Sequence, residues 1–212
     1  MGTNWLDEPF SEELTGTKLQ IAEAALQSLR TVGYAGSSAR AIARAGRFNQ
    51  ALIFYHFGNV RELLLAAFDL VSDRRMEEYG PQLRAAGSAG ELAALARRIY
   101  MDDLERGYVT ALGEMVAGGV ADAALGAGVA ARIEPWIALV RDKLEELFAG
   151  SGLLELLGAD DVAFGIVAAY FGVDMLGQLQ RDQSRPESLL DLTAQLAALA
   201  DPLLSSSTAG ER

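Results

Sequence analysis

Ile42-Ala43-Arg44-Ala45-Gly46-Arg47-Phe48-Asn49-Gln50-Ala51-Leu52-Ile53-Phe54-Tyr55-His56-Phe57 is the stretch that decides the reading of this chain. A short helix closes at Gly46-Arg47, a turn follows, and Asn49 is placed to cap a second short helix running from Gln50 to about His56. Ile42, Phe48, Ile53 and Phe57 fall on inward faces. Asn49, Gln50, Ala51 and Leu52 fall outward, where polar and small groups reach base edges. An amide such as Gln50 bonds adenine bidentately, and Ala51 and Leu52 are apolar enough to meet thymine methyls. For Leu52, packing is an equal alternative, and for His56 a helix-end cap is as good a reading as a phosphate contact.

Working outward, Leu19, Ala22, Leu26 and Leu29 share one face of a helix from Thr15 to Val32, with Ile21 and Ala25 beside them and Gly33 ending it. Gly36-Ser37-Ser38 is a turn in which Ser37 or Ser38 caps the next helix. Ser38, Arg40 and the start of that helix are placed to hold phosphates. Three short helices packed as one unit set one of them in the DNA major groove. Charge supports this. Between Leu14 and Arg61, Lys18, Arg30, Arg40, Arg44, Arg47 and Arg61 stand against Glu23 alone, a net of +5 in a chain whose total is −11. A basic module on an acidic body is a better clue to a nucleic-acid partner than the total.

These residues resemble the N-terminal domain of the TetR family of bacterial transcription regulators, whose pattern is close to I-A-x-x-A-G-V-S-x-G-x-L-Y-x-H-F. The resemblance implies an all-α fold: an N-terminal three-helix helix-turn-helix domain followed by a helical ligand-binding and dimerisation domain, about nine helices in total. It implies DNA contacts from Ser38, Arg40, Asn49, Gln50, Ala51, Leu52, Phe54, Tyr55 and His56. Three positions depart from the pattern. Phe54 replaces a tyrosine and loses its phenolic phosphate contact, which Tyr55 next door recovers only if the helix turns. Val60 replaces a lysine at the start of the following helix. Arg47 stands where the turn glycine is typical, straining the turn or adding a charge.

The rest of the chain reads as helix, with no period-two strand pattern. Helices are expected over Val60–Tyr79, Glu91–Arg106, Val109–Val120, Val129–Phe148, Asp161–Gln180 and Pro186–Leu204, with loops over Pro81–Gly90 and Gly150–Asp160. The latter loop includes a short turn, Leu153–Leu157. Pro135 is expected to kink or split its helix. The domain reading is a flexible arm over 1–14, the helix-turn-helix domain over 15–59, an effector-binding and dimerisation domain over 60–204, and a disordered tail over 205–212.

Leu189, Leu192, Leu196, Leu199 and Leu203 recur at spacings of three and four as one seam, and Phe164, Val167 and Phe171 line the preceding helix. These eight are the expected dimer face, the alternative being a purely intramolecular bundle. A dimer sets two reading helices about 34–36 Å apart on a palindromic operator. Tyr100, Met101, Tyr108, Met115, Trp136, Tyr170 and Met175 are bulky, adaptable candidates for the wall of an effector cavity. The glycine-rich stretch Gly113–Gly128 is where a void is easiest to build. Asp102, Glu105, Glu114 and Asp174 are acidic candidates for a cationic ligand.

Zero cysteines and a single histidine exclude disulfides, cysteine zinc sites and histidine-rich metal sites. No nucleophile–base pairing or phosphate loop is visible, so neither an enzyme nor a cofactor is expected. Met1–Leu14 is acidic and lacks the basic start and apolar core of a secretion signal. The longest apolar run, Val162–Val173, is well short of the roughly 20 residues of a membrane span. The expectation is a cytoplasmic, ligand-responsive homodimeric repressor whose partners are a double-stranded DNA operator, a small-molecule effector and itself, with no membrane. A second reading is an all-α ligand-binding or interaction protein with weak or lost operator affinity.

Overall fold

The computed structural model describes residues 14–149 and 157–206. The arm expected over 1–14, the turn over 153–157 and the tail over 205–212 lie outside them, except at Leu14, Leu157 and residues 205–206. Among the described residues there are nine helices and no strand: α1 (Gly16–Gly36), α2 (Ala39–Gly46), α3 (Ala51–Phe57), α4 (Val60–Ala85), α5 (Ala89–Arg106), α6 (Tyr108–Ala121), α7 (Ala123–Leu147), α8 (Ala159–Gln180) and α9 (Ser184–Ser206). The chain forms two compact units. The first runs to Glu78 and resumes over Asp103–Ile133. The second comprises Tyr79–Asp102 and the chain from Glu134 onward.

The first unit is built around α1. Ile21, Ala22, Ala25, Leu26 and Leu29 are buried on its inner face, together with Ile42 of α2, Ile53 of α3, and Leu63, Leu64 and Phe68 of α4. From the later segment of the unit, Val109, Leu112 and Met115 of α6 and Leu125 of α7 are buried as well. Phe48 and Phe57, read from sequence as core, are half-buried. Charge is neutralised where it is enclosed. Asp69 is gripped by Arg132 through two nitrogens at 2.7 and 2.9 Å, and Arg75 pairs with buried Asp103. Burial pushes the Asp69 carboxyl above its usual range, and the Arg132 guanidinium opposes the shift.

The continuous helix ends at Gly33 as expected: the glycine leaves the helical region at φ 72°, ψ −179°, and a separate turn follows as far as Gly36. The break takes the Tyr34 N–H out of the helical ladder. A carboxylate oxygen of Glu114 on α6 accepts it at 2.7 Å, so the amide is not left unpaired. Ser37 turns inward, its Oγ 2.7 Å from the Gly33 carbonyl and 2.9 Å from the Ser28 hydroxyl. Of the two cap candidates, Ser38 therefore caps α2, accepting the Ala41 N–H at 3.2 Å.

The Gly113–Gly128 stretch is not a place for a void. A Cβ on Gly118 would lie 2.5 Å from the Tyr34 ring, and one on Gly126 would lie 2.5 Å from the Gly119 carbonyl oxygen. These glycines allow close approach between α6 and its neighbours. α7 begins at Ala123, ahead of the expected Val129. Asp122 Oδ1 accepts the N–H groups of Ala124 and Leu125 at 3.0 and 3.1 Å, an N-terminal cap that the glycine-rich composition conceals. The Asp122 carboxyl is held below its usual range, first by the Leu125 amide and then by Arg61, whose Nη2 lies 3.0 Å away.

In the second unit Tyr79, Leu83, Ala86, Leu95, Tyr100, Leu139 and Leu144 are buried. α4 runs through Pro81 to Ala85 where a loop was expected. An interior proline costs about 3 kcal/mol. Burying side chains such as Tyr79 and Leu83 contributes roughly 1.5–3 kcal/mol each, enough to offset it. Likewise α7 passes Pro135 without splitting. Asp201 of α9 accepts the N–H groups of Ala89 and Gly90 at 2.8 and 3.0 Å, capping α5 from a distant part of the chain.

By length and composition alone α7 and α8 are long and apolar enough to cross a membrane. The run of twelve missed this because isolated charged residues punctuate both helices.

Candidate nucleic-acid interface

Ile53 anchors α3 from below at 0% exposure. One inward residue in a seven-residue helix fixes which others point away. Gln50, Ala51, Phe54 and Tyr55 are exposed, at the spacing of one helix face. Leu52 and His56 lie half-buried at its edges, and Leu52 is therefore neither fully presented nor fully packed. The Asn49 side chain accepts the Ala51 N–H at 2.9 Å. It caps α3, and its Oδ1 is occupied in doing so. Phe54 is 50% exposed and Tyr55 81% exposed, so the neighbouring phenol is the more outward of the two rings. The Tyr55 ring stands edge-on to the His56 imidazole at 4.8 Å.

α2 lies before this face in the chain and is amphipathic. Ile42 and Ala43 are buried, while Ser38, Arg40, Arg44 and Arg47 are exposed. The helix ends at Arg47, whose left-handed backbone (φ 56°, ψ 42°) lets the Phe48 N–H reach back to the Ala43 carbonyl at 3.0 Å. The one acidic residue of the basic segment, Glu23, is paired with Arg74. The exposed charge of α2 is thus uniformly positive.

Sequence reasoning counted Arg44 and Arg47 in the segment's charge without placing them at the interface. Their spacing from Arg40, four and then three residues, was the available signal.

The candidate effector residues divide between the units. Tyr108 and Met115 are buried in the first. The Tyr108 ring receives the Arg30 guanidinium at 5.8 Å, and its hydroxyl accepts from Arg74 at 3.4 Å. Tyr100, Met101, Trp136, Tyr170 and Met175 belong to the second. Tyr100 is fully buried and stands edge-on to Tyr170, with ring centroids 5.5 Å apart. Met101 and Trp136 are half-buried, and Met175 is exposed. The Tyr100 hydroxyl is pushed up to about 12 by burial, then by the nearby charges of Asp174 and Glu187. Asp174 is buried and accepts two 2.8 Å bonds from the Gln178 amide; burial raises its carboxyl. Of the other acidic candidates, Glu114 serves Tyr34, Asp102 accepts from the Tyr79 hydroxyl, and Glu105 is exposed. An open cleft of about 320 Å³ in the second unit is lined by other residues: Gln82, Ala85, Ala86, Glu91, Ala94, Leu95 and Arg98.

On the expected dimer face, Phe164, Leu189, Leu192, Leu196 and Leu199 are exposed. Val167 and Phe171 are half-buried. Leu203 lies in α9, and its side chain is outside the described set.

Residues 21–67 match the family model described as bacterial regulatory proteins, tetR family. Solved structures share the fold. The fatty acid degradation regulator FadR of Bacillus halodurans superposes with a TM-score of 0.71 at 17% identity, covering 87% of this chain and 96% of that one. A protein from Rhodococcus sp. described as a TetR-family transcriptional regulator gives 0.70 at 17% identity, over 85% and 97%. A TetR-family member from Streptomyces coelicolor A3 gives 0.59 at 22% identity, over 84% and 98%. No curated protein matches the chain.

Proposed function

We propose that this protein, whose residues 21–67 match the tetR-family model and whose fold is shared by solved TetR-family structures, is a ligand-responsive transcription repressor. It reads a palindromic operator as a homodimer in the cytoplasm and is released by a small-molecule effector. The observation that carries the reading is the division of the first unit into a closed apolar core and an outward face made of α3's Gln50, Ala51 and Tyr55 beside the exposed arginines of α2. Base edges fall to Gln50 and Ala51, with Leu52 at the margin, and the phosphate backbone to Ser38, Arg40 and their neighbours. Asn49 acts mainly by holding α3 in position.

The homodimer is supported by α8 and α9. Their exposed side chains include Phe164, Leu176, Leu179, Leu189, Leu192, Leu196 and Leu199. Large apolar side chains left exposed in such number mark an interaction surface. Open space lies over Gly165 and Gly172 of α8, which permits a partner helix to approach closely.

Effector binding falls to the aromatic and methionine side chains of the body, with Tyr100, Met101, Trp136, Tyr170 and Met175 as one group and Tyr108 and Met115 as another. Release requires the effector to bind one head arrangement better than the other. The Glu114–Tyr34 bond offers a route, since a shift of α6 would move the end of α1 and with it the Ser38 cap of α2.

Gel shifts with fragments upstream of the chain's own and adjacent genes test the proposal. Sequence-selective binding that weakens steeply with salt is expected. Binding that does not discriminate among sequences at any salt concentration would leave the fold without the function.

A further inference from the structure

Arg40 and Arg44, four residues apart, share one face of α2, and Arg47 follows at the helix's C-terminal end. The stripe is about 10 Å long at 1.5 Å per residue, which runs alongside roughly three phosphates of one DNA strand at 3.4 Å each. All three side chains are exposed, and among the described residues none forms an ion pair. Other arginines of the same unit are committed: Arg61 to Asp122, Arg74 to Glu23, Arg75 to Asp103, Arg106 to Glu78 and Arg132 to Asp69.

Arg47 also sits in the left-handed region, at φ 56° and ψ 42°. That conformation is strained for a residue with a Cβ and relaxed for glycine. Two phosphate anchors of the family pattern are missing from this chain: position 54 carries no hydroxyl and position 60 no charge.

We infer that the stripe, and Arg47 above all, is the DNA-backbone anchor that takes over from the missing phenol and lysine, held at the expense of the head's stability. The inference rests on the DNA-binding reading proposed above. It assigns Arg44 and Arg47 to uniform affinity for duplex DNA and leaves sequence discrimination to α3.

The test compares the full-length wild type with Arg47→Gly, Arg47→Lys and Arg44→Ala. The probes are a random-sequence duplex and a fragment upstream of the chain's own gene. Arg47→Gly is expected to melt about 2–4 °C higher. Its plot of log affinity against log salt should be flatter by about 0.9 per head, with affinity lost about equally on both probes. Arg47→Lys should restore the slope without the gain in Tm, and Arg44→Ala should flatten the slope without raising Tm. If Arg47→Gly melts higher with an unchanged slope, the residue is only a helix end and the inference falls while the DNA reading stands. Wild-type protein that binds neither probe at low salt overturns both.

Discussion

α1 and α9 carry the same kind of apolar repeat and meet opposite fates. In α1, Ile21, Ala22 and Ala25 are 0% exposed and Leu29 is 1% exposed. In α9, Leu189, Leu192, Leu196 and Leu199 are between 48% and 71% exposed. Hydrophobic periodicity states that a face is to be removed from water, and not by what. Around α1 the chain supplies its own cover from α2, α3, α4 and α6. Around the α9 leucines, among the described residues, it leaves roughly half or more of each side chain open, which is the physical ground for proposing a second copy there.

The widest contrast comes from one substitution made in both helices. Leu29→Ala should cost about 2–5 kcal/mol and abolish DNA binding with the head's core, as urea unfolding and gel shifts would report. Leu196→Ala, measured at a dilution where the chain is monomeric, should stay within about 0.5 kcal/mol. Equal losses would mean that the seam is closed within the chain and that the comparison is mistaken.

Next in size is the seam itself. Leu192→Asp with Leu196→Asp should convert dimer to monomer in sedimentation and weaken operator binding about 100-fold, which is near 2.7 kcal/mol. A double variant that sediments as the wild type does would remove α9 from the interface.

Smaller, and back in the first unit, is Gly118→Ala. The new methyl would meet the Tyr34 ring, and overpacking of this kind costs about 1–3 kcal/mol. Because Tyr34 also holds Glu114, loss of DNA affinity beyond the loss of stability would implicate the α1–α6 contact in positioning the head. A variant as stable as the wild type would mean that the ring moves aside freely.

The least effect is expected at Asp122→Asn, which keeps the cap and removes the charge. The folded carboxyl lies below its unfolded value of 3.8. The wild type's advantage should therefore be fully present above that pH and disappear as pH falls through the lowered folded value. Melting curves of both proteins across pH 2.5–7 would show it, and an advantage that persists at the acid end would assign the effect to something other than ionisation.

Much of the head was legible before any coordinates. Ile42 and Ile53 are core, Asn49, Gln50 and Ala51 are exposed as read while Leu52 is half-buried, and Ser38 and Asn49 cap as their chemistry suggests. Such features are local: a three-to-four residue period and a side-chain oxygen within reach of an amide. Where local rules failed, a distant group had intervened. Buried Tyr79 and Leu83 carry α4 past Pro81, and Asp201 caps α5 from more than a hundred residues away.

The candidate interface followed the same division. Gln50 and Ala51 could be placed from their neighbours, whereas the outward Tyr55 ring was not, and the interest of Arg44 and Arg47 depends on which other arginines found a carboxylate. By itself, then, the sequence determined the helices, the apolar stripes and the reading motif, because these depend on residues within a few positions of one another. Only the tertiary structure decided which stripes are closed, which glycines are filled and which charges are left uncommitted, because burial and pairing are settled by groups that the chain brings together from afar.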